Sequence, residues 1–112
     1  MLNGEKHLKL RIMKKHFVYI LTNKNKTVLY TGVTNNLTRR LIEHNDNIEQ
    51  GKKSFAAKYR CNHLLYYEEY DWMQEAIARE KEIKGWVRVK KISLIKSINP
   101  NLGFLEDGFL FT

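Results

Sequence analysis

The first concentrated run of apolar residues, His16 to Leu21, contains Phe17, Val18, Tyr19 and Ile20. These are aromatic or β-branched, and the run predicts a strand. The polar stretch Asn23 to Lys26 predicts a turn, and Thr27 to Val33 a second strand, so the pair forms an antiparallel hairpin. On the second strand Val28, Tyr30 and Gly32 share one face, and Leu29, Thr31 and Val33 the other. Asn35 or Asn36 can cap a helix over Leu37 to Asn45. Leu37 and Leu41 face its core side, while Arg40 and His44 lie on a neighbouring stripe. Asn45 to Ser54 is polar, contains Gly51 and reads as a loop; Phe55 to Arg60 reads as a short helix or turn. A third strand, Leu64 to Tyr70, sets Leu64, Tyr66, Glu68 and Tyr70 against Leu65, Tyr67 and Glu69.

Asp71 caps the next helix, with Gln74 in capping-box position. That helix carries Ala76, Ile77, Ala78, Glu80 and Ile83 and ends at Gly85. Trp86 to Ser97 is the last helix, packing through Val89, Ile92, Leu94, Ile95 and Ile98, and Pro100 stops it. The order strand, strand, helix, strand, helix, helix predicts an α+β fold: a small three-stranded, largely antiparallel β-sheet flanked by helices. Phe104, Phe109 and Phe111 in the tail dock either on the domain or on a partner.

Length changes this picture little: 112 residues suit one domain. Residues 14–102 form it, and 103–112 are an aromatic tail. Met1 to Ile12 is polar and basic without a period, and Met13-Lys14-Lys15 before the first strand looks like a start of translation. Residues 1–13 are therefore expected to be a flexible extension or a start-site artifact. No apolar run approaches the ~20 residues of a membrane span, and no apolar signal core follows the N-terminus. The lone Cys61 cannot form an internal disulfide, which suits a reducing cytoplasm. The net charge of +8 favours polyanions, nucleic acid first and acidic lipid surfaces second.

Several residues can carry chemistry. Tyr19 and Tyr30 lie on the two hairpin strands; they are either rim tyrosines or phenols that take part in proton transfer. Gly32, two residues after Tyr30, marks either a plain strand end or an open backbone against which a phosphate can lie. Arg40 can grip a phosphate bidentately, whereas Arg39 points about a hundred degrees away. His44, one turn on, can donate to a phosphate or shuttle a proton. Glu80 is either a magnesium-binding carboxylate or the ion-pair partner of Lys84. Lys81, Lys84, Arg88, Lys90, Lys91 and Lys96 make a basic stretch, with Trp72 and Trp86 beside it. There is no zinc-spaced Cys/His set, no phosphate-binding glycine loop of either common type, and nothing that recommends Ser-His-Asp catalysis.

Together these residues resemble the GIY-YIG nuclease superfamily. Val18-Tyr19-Ile20 looks like its first element, with Phe17 where the family has glycine, and Tyr30-Thr31-Gly32 looks like its second. Arg40 in Asn36-Leu37-Thr38-Arg39-Arg40-Leu41, and Glu80 in Glu75-Ala76-Ile77-Ala78-Arg79-Glu80, follow in the family's order. The similarity runs from about Phe17 to Asn101 and is nearest to small single-domain bacterial members that resemble the endonuclease domain of excinuclease C. The family's closing asparagine falls at Asn99 or Asn101 around Pro100, without the tyrosine that usually lies between.

The resemblance implies a metal-dependent endonuclease that hydrolyses DNA, structure-selective and acting in repair or recombination. The alternative is a nucleic-acid-binding module with the same fold and no turnover. Tyr19 is implied as general base or as orienting the attacking water, and Tyr30 as a hydrogen-bonding group at the scissile phosphate. Arg40 is implied to stabilise phosphate charge, His44 to match a family histidine, and Glu80 to be the sole protein ligand of one divalent ion, magnesium or else manganese. Gly32, Arg39, Lys84, Arg88, Lys90 and Lys91 are expected to contact nucleic acid. Branched or damaged DNA is the expected partner, with no membrane. A homodimer or protein partner through the tail is the further option.

Overall fold

The apolar run at the start of the domain forms β1 (His16–Thr22), the central strand of a three-stranded sheet ordered β2-β1-β3. Its flanking strands β2 (Leu29–Thr34) and β3 (His63–Tyr70) both pair with it antiparallel. In the computed structural model the described residues run from 15 to 110, so the expected 1–13 extension and Phe111 lie outside them. A central strand is covered on both faces, and Val18, Tyr19, Ile20 and Leu21 are each at most 1% exposed. The sheet divides the core in two. One face carries Tyr19, Leu21 and Leu64, closed by Leu37 and Leu41 of α1 (Leu37–Glu49) and Ala56 of α2 (Phe55–Lys58). The other carries Val18, Ile20, Leu65 and Tyr66, closed by Ala76 and Ile83 of α3 (Met73–Lys84) and Ile95 of α4 (Arg88–Lys96). Among the described residues no helix is long and apolar enough to cross a membrane.

Several boundaries differ from the sequence reading, each for a local reason. β2 starts at Leu29 rather than Thr27, because the Asn23 carboxamide accepts from the Thr27 and Val28 amides at 2.8 and 3.2 Å. Those two residues therefore belong to the turn. α1 runs four residues past Asn45, since nothing polar there breaks a helix. The chain turns out only at Gly51, whose φ of +67° is the left-handed conformation open to glycine. Asn36 caps α1, its side chain accepting from Arg39 N at 3.0 Å. Asp71 does not cap α3. The cap position is Trp72, without a side-chain bond, and the Asp71 carboxylate pairs with Lys15 at 2.5 Å. α4 starts at Arg88, two residues later than Trp86.

In β3 the expected alternation fails at one point. Ile20 pairs with Tyr66 but Leu21 pairs with Leu64, so Leu65 is an extra residue. This bulge sends Leu64 to the α1 side and puts Leu65 with Tyr66 on the α3 side.

On the α3 side Glu68 collects Arg79, Tyr66 and Tyr70. Arg79 donates through Nε at 2.9 Å and Nη2 at 3.0 Å, and Tyr70 at 2.6 Å. Arg79 also bonds Glu82 and lies 5.1 Å from the Trp86 ring. This network fastens β3 to α3 and gives Trp86 a packing role; Trp72, by contrast, is 60% exposed.

The tail returns onto the domain. Glu106 accepts from the Leu64 amide at 2.8 Å and bonds His63 at 2.7 Å, while Phe104 stacks on His63 at 3.9 Å. Phe109, in the short α5 (Asp107–Leu110), meets Tyr67 edge-on at 5.2 Å. Two of the three tail phenylalanines thus dock on their own domain.

Candidate active site

The hairpin and α1 bring four of the expected residues together. Tyr19 lies opposite Gly32 across the β1–β2 ladder, and Tyr30 lies opposite Leu21, so both tyrosines point to the α1 side. Arg40 and His44, one turn apart on α1, converge on the Tyr19 phenol. Arg40 Nε donates to it at 3.3 Å, and His44 Nε2 lies 2.9 Å from it. The Tyr30 ring completes the group, 6.3 Å from Tyr19 and 5.5 Å from His44.

Gly32 makes this possible. A Cβ built on it would stand 2.4 Å from Cζ and from Oη of Tyr19. The space the glycine leaves is filled by the Tyr19 ring rather than left open, so its first task is to seat that ring.

Electrostatics set the protonation of the cluster. Burial, opposed by the Arg40 hydrogen bond, pushes the Tyr19 phenol up to about 12. Burial, helped by the Arg40 charge, brings the His44 imidazole down to about 4. Both groups are neutral at pH 7. Because Arg40 already donates to the Tyr19 oxygen, the phenol proton is free to point at His44 Nε2. That pattern puts the imidazole proton on Nδ1.

A pH effect on stability follows. Above pH 6.5 His44 is neutral in both folded and unfolded chains, and its contribution is fully present. As pH falls from 6.5 towards 4 the unfolded chain takes up a proton that the folded chain refuses, and stability is lost. The gap between 6.5 and about 4 corresponds to about 3 kcal/mol. Urea unfolding of His44→Gln between pH 7 and 4 should show a correspondingly flatter decline than wild type. Parallel curves would contradict the burial of a neutral imidazole.

The remaining expected residues are elsewhere. Glu80 is on α3, across the sheet, on the same stripe as buried Ala76 and Ile83. Its side chain is only 13% exposed, pairs with Lys84 at 2.7 Å and makes no hydrogen bond to the Tyr19 cluster. β2 is the edge strand between the two halves: Tyr30 and Gly32 face one way, and α3 packs against its other face. On that α3 side Thr31 Oγ1 is buried without a hydrogen-bond partner among the described residues. Arg39 is exposed and engaged by Asn35 and Glu43. Arg88 donates to the Lys26 carbonyl at 2.9 Å, and Lys90 lies 4.3 Å over Trp86, so these two are engaged outside the cluster; Lys91 lies on the same helix. Asn99 binds the Leu65 and Gly103 carbonyls, both at 2.9 Å, fastening the tail to β3, whereas Asn101 is exposed.

From sequence, Phe55 belongs simply to a short helix or turn. In the structure it stacks on Tyr30, with centroids 6.4 Å apart and planes 24° apart. The available signal was a pair of aromatics, Phe55 and Tyr59, among Lys52, Lys53, Lys58 and Arg60. Among the described residues no group of three or more His, Cys, Asp or Glu is placed to hold a metal ion. One largely buried carboxylate fits magnesium, which keeps most of its waters and takes few protein ligands. It does not fit a site built on several protein ligands, such as a structural zinc centre.

With this geometry in view, comparison with known proteins places the chain. A family model of the GIY-YIG catalytic domain matches residues 15–93. A UPF0213 protein of Staphylococcus saprophyticus is 41% identical over 83 residues, covering 74% of this chain and 96% of the relative. One from Staphylococcus aureus is 42% identical over 84 residues, covering 75% and 98%. The solution NMR structure of a UPF0213 protein from Bacillus halodurans aligns with TM-score 0.49 at 29% identity, over 78% of this chain and 88% of that one.

Proposed function

Since the chain belongs to the GIY-YIG family, we propose that it is a metal-dependent endonuclease that hydrolyses DNA phosphodiester bonds. The observation that carries this reading is the convergence of Arg40 and His44 on the Tyr19 phenol, with Tyr30 against them. Arg40 supplies the one positive charge of the cluster and grips a nonbridging phosphate oxygen. Tyr30, the more exposed tyrosine, hydrogen-bonds the phosphate or the attacking water. Tyr19 takes a proton from that water while passing its own to His44 Nε2. The free protein resists this transfer, because an imidazolium would be buried beside Arg40. A bound phosphate offsets the Arg40 charge and so raises the proton affinity of His44. Glu80 would hold one divalent ion, magnesium or manganese, whose charge offsets that of the leaving oxygen. The basic side chains of Arg39, Lys84, Arg88, Lys90 and Lys91 would track the phosphate backbone.

The test is cleavage of labelled duplex, flap, fork, single-stranded DNA and RNA with magnesium or manganese. Action on flap or fork DNA would support a role in repair or recombination. Arg40→Ala is expected to slow cleavage on the order of 10²–10³-fold. Arg39→Ala, already turned to Asn35 and Glu43, should act on binding alone. Equal losses in the two variants would remove Arg40 from the site. DNA binding without cutting of any substrate would favour a binding module with this fold.

A further inference from the structure

Residues 51–60 carry Lys52, Lys53, Lys58 and Arg60 and no carboxylate. All four cations are exposed, and among the described residues none is in an ion pair. Among them stand two aromatic rings that the core does not use. Phe55 is 52% exposed and Tyr59 42%, and their centroids lie 4.8 Å apart. The segment is firmly held: Ser54 caps α2, and Ala56, Ala57 and Cys61 are buried beneath it. Phe55 also stacks on Tyr30, which packs against Tyr19 and His44. Lys58 Nζ lies 5.5 Å over the Tyr59 ring. Exposed rings beside unpaired cations suit a ligand with both flat faces and negative charge, as in a nucleic-acid strand. Intact duplex offers its phosphates but keeps its base faces stacked inside. An unpaired base offers both.

We propose that Phe55 and Tyr59 form a stacking platform for an unpaired base of a DNA strand, with Lys52, Lys53, Lys58 and Arg60 on its phosphates. The platform touches Tyr30 through Phe55, so it seats single-stranded or branched DNA beside the Tyr19 cluster in preference to duplex. The choice of DNA as the strand rests on the endonuclease reading.

The test is fluorescence anisotropy in EDTA, where no strand is cut, with a mixed-sequence single-stranded oligonucleotide and a duplex of equal length. Wild type is expected to bind the single strand in preference. Phe55→Leu keeps an apolar side chain but removes the ring; it should weaken single-strand binding on the order of tenfold and leave duplex binding within about twofold. Phe55→Trp should restore it, and circular dichroism checks that each variant folds. Equal weakening on both ligands, no weakening, or a wild type without single-strand preference would each overturn the platform. Cleavage assays with magnesium on the same proteins separate the two proposals. Phe55-dependent binding without any cutting keeps the platform and removes the enzyme. Cutting with binding indifferent to Phe55 does the reverse.

Discussion

Gly32→Ala is expected to destabilise the protein by about 3 kcal/mol or more and to abolish the Tyr19 cluster, although it adds one methyl group. The added carbon would stand 2.4 Å from two Tyr19 ring-end atoms and 2.9 Å from a third. The ring has nowhere to go: it is 1% exposed, bonded to His44 and Arg40, and flanked by Tyr30. Overpacking of this kind costs about 1–3 kcal/mol, and each hydrogen bond lost with a displaced phenol adds about 1 kcal/mol. Urea denaturation measures the loss. The double variant with Tyr19→Leu, which lacks the clashing atoms, should be markedly more stable than the sum of the two single changes. Additive losses would show that the methyl group and the ring do not meet.

Glu80→Gln is expected to cost activity as heavily as Arg40→Ala. The two side chains have the same shape, and among the described residues the carboxylate's ion-pair partner is Lys84, half-exposed at 50%. Lys84 can turn its charge to water and Gln keeps an acceptor oxygen in the same place, so the variant should fold. What it loses is the negative charge on which the proposed ion depends. Without it, cleavage should fall on the order of 10²–10³-fold, the typical loss when one electrostatic contact is taken from a transition state.

Much of this arrangement could be read from the order of residues, because it depends on local periodicity. The hairpin, the α1 cap at Asn36 and the four-residue spacing of Arg40 and His44 each follow from short-range geometry. Other features depend on partners distant in the chain. The Leu65 bulge is set by how β3 lies on β1, and Asp71 left its cap for Lys15, 56 residues away. Gly32 could be marked as a close approach, but only the fold shows that Tyr19 is what approaches. Phe55 joins Tyr30 across 25 residues through the placement of α2, which no local pattern specifies. The same holds for Glu80: its stripe on α3 is readable, whereas its side of the sheet relative to Tyr19 is a property of the packed domain.

A hydrolytic site made by the Tyr19 cluster and Glu80 is tested most directly by single-turnover cleavage of end-labelled flap DNA with magnesium. Wild type and Glu80→Gln should be compared at matched concentrations after both are shown to fold. Wild type is expected to cut, and Glu80→Gln to cut at a rate lower on the order of 10²–10³-fold. Equal rates for the two proteins would contradict such a site.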